Sequence, residues 1–255
     1  GPRRTLGRMD HDTAPAVTPT PHVAPSSAGL HARGLVRRFG TTTALAGVDV
    51  DLAPGRSLAV MGPSGSGKST LLHCLAGILV PDSGTVTLDG RELSSLDEKG
   101  RSLVRRSHFG FVFQFGQLLP ELPAVENVAL PAMLLGAKRP AALETARGWL
   151  ASLGLAGMED RRPGELSGGQ AQRVAVARAL VAGPSVVFAD EPTGALDQAT
   201  GTDVMRVLTE ATRAAGAALV VVTHDRAVAG WCGRRIEMRD GQVVGNVAQR
   251  EDGPR

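Results

Sequence analysis

The sequence predicts an α/β fold: a parallel sheet and its helices around a phosphate-binding loop, with an antiparallel β subdomain and an inserted α-helical subdomain. Three observations carry this. Gly62-Pro63-Ser64-Gly65-Ser66-Gly67-Lys68-Ser69 fits G-x-x-x-x-G-K-[ST] and lies between a strand-like apolar run at 57–61 and a helical run at 70–76. Continuous apolar runs at 186–189 and 217–222 have strand length and suit a parallel sheet covered on both faces. Residues 115–165 change character, with Pro, Leu, Ala and Gly dominant and helical spacing over 141–153. Together these describe a phosphate-loop NTPase core with a helical insertion at about 115–169.

Taken in order, residues 1–29 are rich in Pro, Ala, Thr and Ser and lack periodicity, which predicts a disordered tail before a domain over 30–250. Gly1-Pro2 is open to being read as a protease-cleavage scar and Met9 as a native start. Residues 30–60 alternate and turn in a β manner; 45–52 alternate apolar with polar, and Pro54-Gly55 turns into the strand at 57–61. Residues 86–90 form another strand and its turn, and 109–113 a buried strand ending at Gln114. A helix is expected over 171–181, strands over 186–190 and 217–223, and a terminal hairpin over 236–244.

Composition narrows the partners. The chain of 255 residues is 42% hydrophobic, enough for one large α/β domain. No apolar stretch reaches the length of a membrane span, and the N-terminus has no apolar signal core, which predicts a cytoplasmic location. Aromatic residues are 3% and tyrosine is absent, so platforms for stacking nucleic-acid bases are scarce and no nucleic-acid partner is expected. Cys74 and Cys232 have no metal-ligand spacing. The lysines are Lys68, Lys99 and Lys138; in a chain that otherwise uses arginine, the one inside the phosphate loop has a specific role.

The chemistry is read from the loop outward. The glycines Gly62, Gly65 and Gly67 let the backbone of Ser64, Ser66 and their neighbours curl so that N–H groups point at an anion, and Thr70 follows at the helix start. Lys68 is placed for the β- and γ-phosphates and the Ser69 hydroxyl for Mg²⁺. Val186-Val187-Phe188-Ala189-Asp190-Glu191 ends an apolar strand in two carboxylates. Asp190 suits Mg²⁺ or its waters, and Glu191 suits the attacking water. Ser167-Gly168-Gly169-Gln170 opens a helix whose N-terminus suits a phosphate. A simple serine cap explains Ser167 but leaves the paired glycines and Gln170 unexplained.

Leu166–Gln170 resembles the signature motif of ABC ATPases, and the order of phosphate loop, Gln114, signature, acidic strand, Ala195-Leu196-Asp197 and Thr223-His224-Asp225 is similar to that family over about 30–247. The resemblance implies roles. Gln114 is the glutamine that contacts Mg²⁺ and the attacking water, Asp197 communicates across a dimer, and His224 contacts the γ-phosphate. Phe39, before Gly40, matches the aromatic that stacks on adenine; the position is usually tyrosine, and an ordinary core role stays open. The family forms head-to-tail dimers with each ATP between the phosphate loop of one subunit and the signature of the other, so a homodimer on ATP binding is expected.

Residues 117–122 with Glu126-Asn127-Val128, and 189–197, resemble the subfamily serving lipoprotein release, macrolide efflux, peptide-antibiotic resistance and haem efflux. This implies an ATPase subunit on the inner face of the cell membrane, powering a separately encoded integral membrane permease by export or mechanotransmission. A cell-division regulator acting on an extracytoplasmic wall hydrolase would carry the same motifs. A soluble ATPase of DNA repair would need coiled-coil heptads or zinc sites, which the sequence lacks. Residues 115–135, apolar at Leu118, Leu119, Leu122 and Leu130, are expected to dock the permease, with packing of the helical subdomain as the alternative.

Overall fold

The computed structural model describes residues 28–248, so most of the expected tail over 1–29 lies outside the described residues. Two strands open the chain, β1 (Leu30–Phe39) and β2 (Thr42–Leu52), followed by β3 (Ser57–Met61), α1 (Lys68–Leu75), β4 (Ser83–Leu88) and β5 (Arg91–Glu92). Next come α2 (Glu98–His108), β6 (Phe109–Phe113), α3 (Ala124–Leu134), α4 (Arg139–Ser152), a 3-10 turn (Pro163–Glu165) and α5 (Gly168–Leu180). The chain closes with β7 (Val186–Asp190), α6 (Gln198–Ala214), β8 (Ala218–Val222), α7 (Arg226–Ala229), β9 (Arg234–Arg239) and β10 (Gln242–Ala248).

The strands form two sheets. One is antiparallel with order β2-β1-β4-β5; the other has order β10-β9-β3-β8-β7-β6 and is parallel except for the terminal β9–β10 hairpin. Alternation along the central strands explains why the apolar runs are continuous. In β3, Ala59 and Met61 enter one core while Leu58 and Val60 enter the other; Leu219 and Val221 of β8 oppose Val220 and Val222 in the same way. The first core is closed by α3 to α6, the second by α1 and the antiparallel sheet. From Leu58 to Met61 and from Ala218 to Val222 every side chain is therefore covered, and the period-2 rule produces no polar face.

The helices differ in how plainly their sequence states them. Asp97 caps α2, accepting from Gly100 N at 2.7 Å, but Val104 is its one buried residue, so the helix carries almost no apolar stripe. Asp197 caps α6 and Asp225 caps α7 by the same means. In the segment between β6 and α5, the fully buried Asn127 of α3 ties down the preceding loop. Its amide donates to the Leu119, Leu122 and Pro123 carbonyls and accepts from Leu119 N–H. Two Asp-Gly turns, Asp89-Gly90 and Asp240-Gly241, close hairpins with positive φ at both residues. Among the described residues no helix is long and apolar enough to cross a membrane.

Candidate active site

Three neighbouring strands, β3, β8 and β7, deliver their C-terminal ends to one place, and each carries a piece of the site. The phosphate loop leaves β3. Its glycines are demanded by close approach as well as by turning: φ is +150° at Gly62 and +100° at Gly67. A Cβ on Gly62 would stand 2.3 Å from the Met238 carbonyl oxygen, and one on Gly67 2.3 Å from that of Ala44. Gly67 opens α1 without a side-chain cap, so the first-turn N–H groups are available to an anion. Ser64, Gly65, Gly67, Lys68, Ser69 and Thr70 line an open cavity of about 730 Å³.

Asp190 and Glu191 from the end of β7 and His224 from the end of β8 line the same cavity. Burial pushes the Asp190 carboxyl above its ordinary range; the Glu191 charge adds to this, while His73 and Lys68 pull the other way. Glu191 has φ +47°, an uncommon backbone for a non-glycine residue, and its N–H donates to the Val222 carbonyl at 2.9 Å. Its carboxylate takes a bond from the Thr223 hydroxyl at 3.2 Å and from His224 N–H at 3.1 Å, and meets His224 Nδ1 at 2.8 Å. That contact, with the Glu191 charge, raises the His224 pKa. Lys68 Nζ donates to the Gly62 and Pro63 carbonyls at 2.7 and 2.8 Å. Lys68, Glu191 and His224 thus each have a protein partner.

The remaining expected residues lie outside this cavity. Gly62 and Ser66 do not line it: Ser66 is 2% exposed, its hydroxyl has no hydrogen-bond partner, and its carbonyl accepts from Gly241 N–H at 3.0 Å. Phe39 is 47% exposed with the Arg37 guanidinium 4.9 Å from its ring centre, which overturns the core alternative. Gln114 sits against Gly194, where an added Cβ would be 2.9 Å from its Nε2. Asp197 spends its carboxylate on Thr200, taking bonds from the backbone N–H at 3.0 Å and the hydroxyl at 2.6 Å; these bonds lower its pKa.

The signature segment needs a correction. Helix capping accounts for Gln170 as well as Ser167, because the pair forms a reciprocal box: Gln170 N–H donates to Ser167 Oγ at 3.2 Å and Ser167 N–H to Gln170 Oε1 at 2.9 Å. The paired glycines are accounted for by packing. A Cβ on Gly168 would stand 2.9 Å from Leu196 Cδ2, and one on Gly169 2.5 Å from Thr200 Cγ2. The N-terminus of α5 is thus pressed onto the start of α6.

Sequence reading missed Thr42 and Ala44, which line the cavity because β2 runs past the phosphate loop, and it missed Gln172. No local pattern announces the first two; their proximity is a consequence of sheet packing. Another cavity, about 620 Å³ between α4, α5 and α6, is lined by Trp149, Arg173, Arg206 and Glu210 among others and shares no residue with the phosphate loop. The cavity holding Lys68 and the paired carboxylates is the candidate site for the chemistry.

Comparison with known proteins agrees with this geometry. A family model described as ABC transporter matches residues 45–194. The lipoprotein-releasing system ATP-binding protein LolD 2 of Caulobacter vibrioides is 44% identical over 218 residues, 84% of this chain and 96% of the relative. The macrolide export ATP-binding/permease protein MacB of Chromobacterium violaceum is 47% identical over 223 residues, 86% of this chain but 34% of the relative, so the chain spans about a third of that protein. Among solved structures, the dimeric ATP-binding cassette MJ0796 in a post-hydrolysis state bound to ADP and Pi superposes with a TM-score of 0.77 at 36% identity, over 87% of this chain and 99% of that one. With its phosphate loop, paired carboxylates and capped signature helix in place, the chain belongs to the ABC transporter family, as an ATP-binding cassette with the fold of the family's ATPases.

Proposed function

We propose that this chain is the ATP-hydrolysing motor of a membrane transporter, closing head-to-tail on a second copy of itself around ATP and Mg²⁺ and moving an integral membrane permease at the inner face of the cell membrane. One observation carries the reading: Lys68, Ser69, Asp190, Glu191 and His224 converge on one cavity while Ser167–Gln170 stands outside it. A single copy therefore offers half of a triphosphate site plus a spare helix N-terminus. A second copy supplies the other half, as the dimeric MJ0796 cassettes suggest.

ATP is the substrate, and its phosphates compete for groups that the nucleotide-free chain keeps occupied. Lys68 gives up the Gly62 and Pro63 carbonyls for the β- and γ-phosphates. His224 leaves Glu191 for the γ-phosphate, which frees the carboxylate to orient a water and accept its proton. Ser69 and Asp190 fit Mg²⁺: one hydroxyl and one carboxylate on the same cavity suit an ion that takes its other ligands from phosphates and water. Bound Mg²⁺ supplies charge neutralisation at the phosphate oxygens. Gln114 joins the site by leaving Gly194, and Phe39 offers the ring face opposite Arg37 to adenine.

The permease is proposed to dock on residues 115–135. Phe115 is 77% exposed and Leu134 58%, and Leu134 and Pro131 line a groove of about 480 Å³ with Ile78, Phe113, Arg105 and Arg178. Leu118 packs against the core instead, so only part of the expected apolar stretch is available.

Glu191→Gln tests the whole reading. It preserves size and hydrogen bonding but removes the base, so Mg-ATP should bind normally, hydrolysis should fall by about 10²–10⁴-fold, and light scattering should detect an ATP-held dimer. Wild-type hydrolysis, or a mutant that stays monomeric at saturating Mg-ATP with the permease present, refutes it.

A further inference from the structure

Gln172 lies on α5, just past the signature residues, and is 2% exposed. Its Nε2 donates to the Phe113 carbonyl at 2.7 Å and to the Pro192 carbonyl at 2.6 Å. A carboxamide nitrogen has two protons, and both are used. The place where they are used is informative. Strands β6 and β7 pair in register as far as Phe113–Asp190, and there the ladder ends. Pro192 is buried and contributes no N–H of its own. Its carbonyl has Gln172 as donor, while the Phe113 carbonyl also takes Gly116 N–H at 3.0 Å. The side chain thus supplies one more rung after the last backbone rung.

The residues held by this rung adjoin the chemistry. Phe113 precedes Gln114, and Pro192 follows Glu191. Two features hold the backbone next to Gln114 and Glu191: the last ladder pair, Phe113–Asp190, and the Gln172 bridge just beyond it. The same helix presents Ser167–Gln170 in its first turn and packs that turn against Leu196 and Thr200.

We propose that Gln172 is a positioning residue for ATP hydrolysis: it fixes the spacing of Gln114 and Glu191 and ties that spacing to α5. When Ser167–Gln170 seats on the nucleotide of a second copy, the helix carries the change to the water-activating carboxylate through this bridge. The inference rests on the reading of Glu191 as the base, and the experiment separates the two.

Gln172→Met keeps length and volume and removes both donors. It should bind Mg-ATP within about twofold of wild type while kcat falls at least tenfold at unchanged KM. Thr212→Val is the control for lost stability alone: it removes a buried hydroxyl on α6 that donates to the Leu208 and Thr209 carbonyls, and it should lower Tm without changing kcat. Gln172→Asn keeps the carboxamide but is one methylene too short for both carbonyls, and it does not depend on Gln172→Met folding; it too should lose kcat and keep ATP affinity. Wild-type kcat in either folded Gln172 variant, beside an inactive Glu191→Gln, overturns the inference and leaves the function standing. An active Glu191→Gln removes the reading beneath both.

Discussion

Gly241→Ala should damage ATP binding although residue 241 lies outside the nucleotide cavity. The Asp240-Gly241 turn sits behind the phosphate loop. Gly241 N–H donates to the Ser66 carbonyl at 3.0 Å, and its own carbonyl accepts Ala46 N–H at 2.9 Å, so one residue links the loop to β2. Its φ is +75°, and a Cβ would stand 2.8 Å from the Ala44 carbonyl oxygen and 3.3 Å from Leu45 Cα. A left-handed alanine costs about 1–2 kcal/mol. Displacing the turn weakens two hydrogen bonds worth about 0.5–1.5 kcal/mol each. The sum, about 2–5 kcal/mol, corresponds to a Tm loss of roughly 4–20 °C for a domain of this size. Gly90→Ala is the matched control: the same Asp-Gly turn with φ +81°, but on the antiparallel sheet and with no bond to the phosphate loop, so only the backbone term applies, about 1–2 kcal/mol. Thermal unfolding reads the stability difference, and fluorescent-nucleotide titration below both Tm values reads the function. Gly241→Ala should bind Mg-ATP at least about tenfold more weakly, a loss of about 1.4 kcal/mol, and Gly90→Ala should bind like wild type. Equal ATP affinity in the two variants refutes the link between turn and loop.

Phe39→Ala should weaken ATP by about 1–3 kcal/mol, the range for base–aromatic stacking, without lowering Tm, since the ring is half exposed; unchanged affinity in a titration rejects the stacking role. Gly169→Ala should destabilise by about 1–3 kcal/mol because its Cβ would stand 2.5 Å from Thr200 Cγ2, and Thr200→Ser, which deletes that methyl and keeps the hydroxyl for Asp197, should restore most of the loss in thermal melts; no rescue means that the α5–α6 contact is misread. The Glu191 contact raises His224 above its ordinary 6.5, so the pair's contribution to stability is complete below pH 6.5 and fades as pH rises through the higher folded-state value. His224 is 74% exposed, which holds that contribution under about 1 kcal/mol, and an NMR titration should show its midpoint falling toward 6.5 in Glu191→Gln; an unmoved midpoint contradicts the assigned cause.

The parts of the site legible in the sequence are those whose physics is local. A phosphate loop needs its glycines, lysine and serine at fixed spacing between a strand and a helix, and a strand buried on both faces must be apolar throughout, so 57–69 and 186–191 could be read directly. Helix α2 went unread because a helix held by Asp97, by Glu98 pairing with Arg101 and Arg105, and by one buried valine has no apolar period to detect. Thr42, Ala44 and Gln172 went unread for the opposite reason: their roles are defined by partners far along the chain, and the two carbonyls Gln172 bridges are 59 and 20 residues from it. The signature shows how the two kinds of information compete. Ser167 and Gln170 satisfy each other, and Gly168 and Gly169 are small because Leu196 and Thr200 are close, so every residue of the motif has a reason inside one chain. In the proposed dimer, a site half already satisfied by its own fold would meet a phosphate without first being ordered. The phosphate-loop half is the reverse, with Lys68 and Glu191 engaged to protein groups that ATP would have to displace. The cost of the proposed closure would then fall on the catalytic half, to which the Gln172 bridge ties α5.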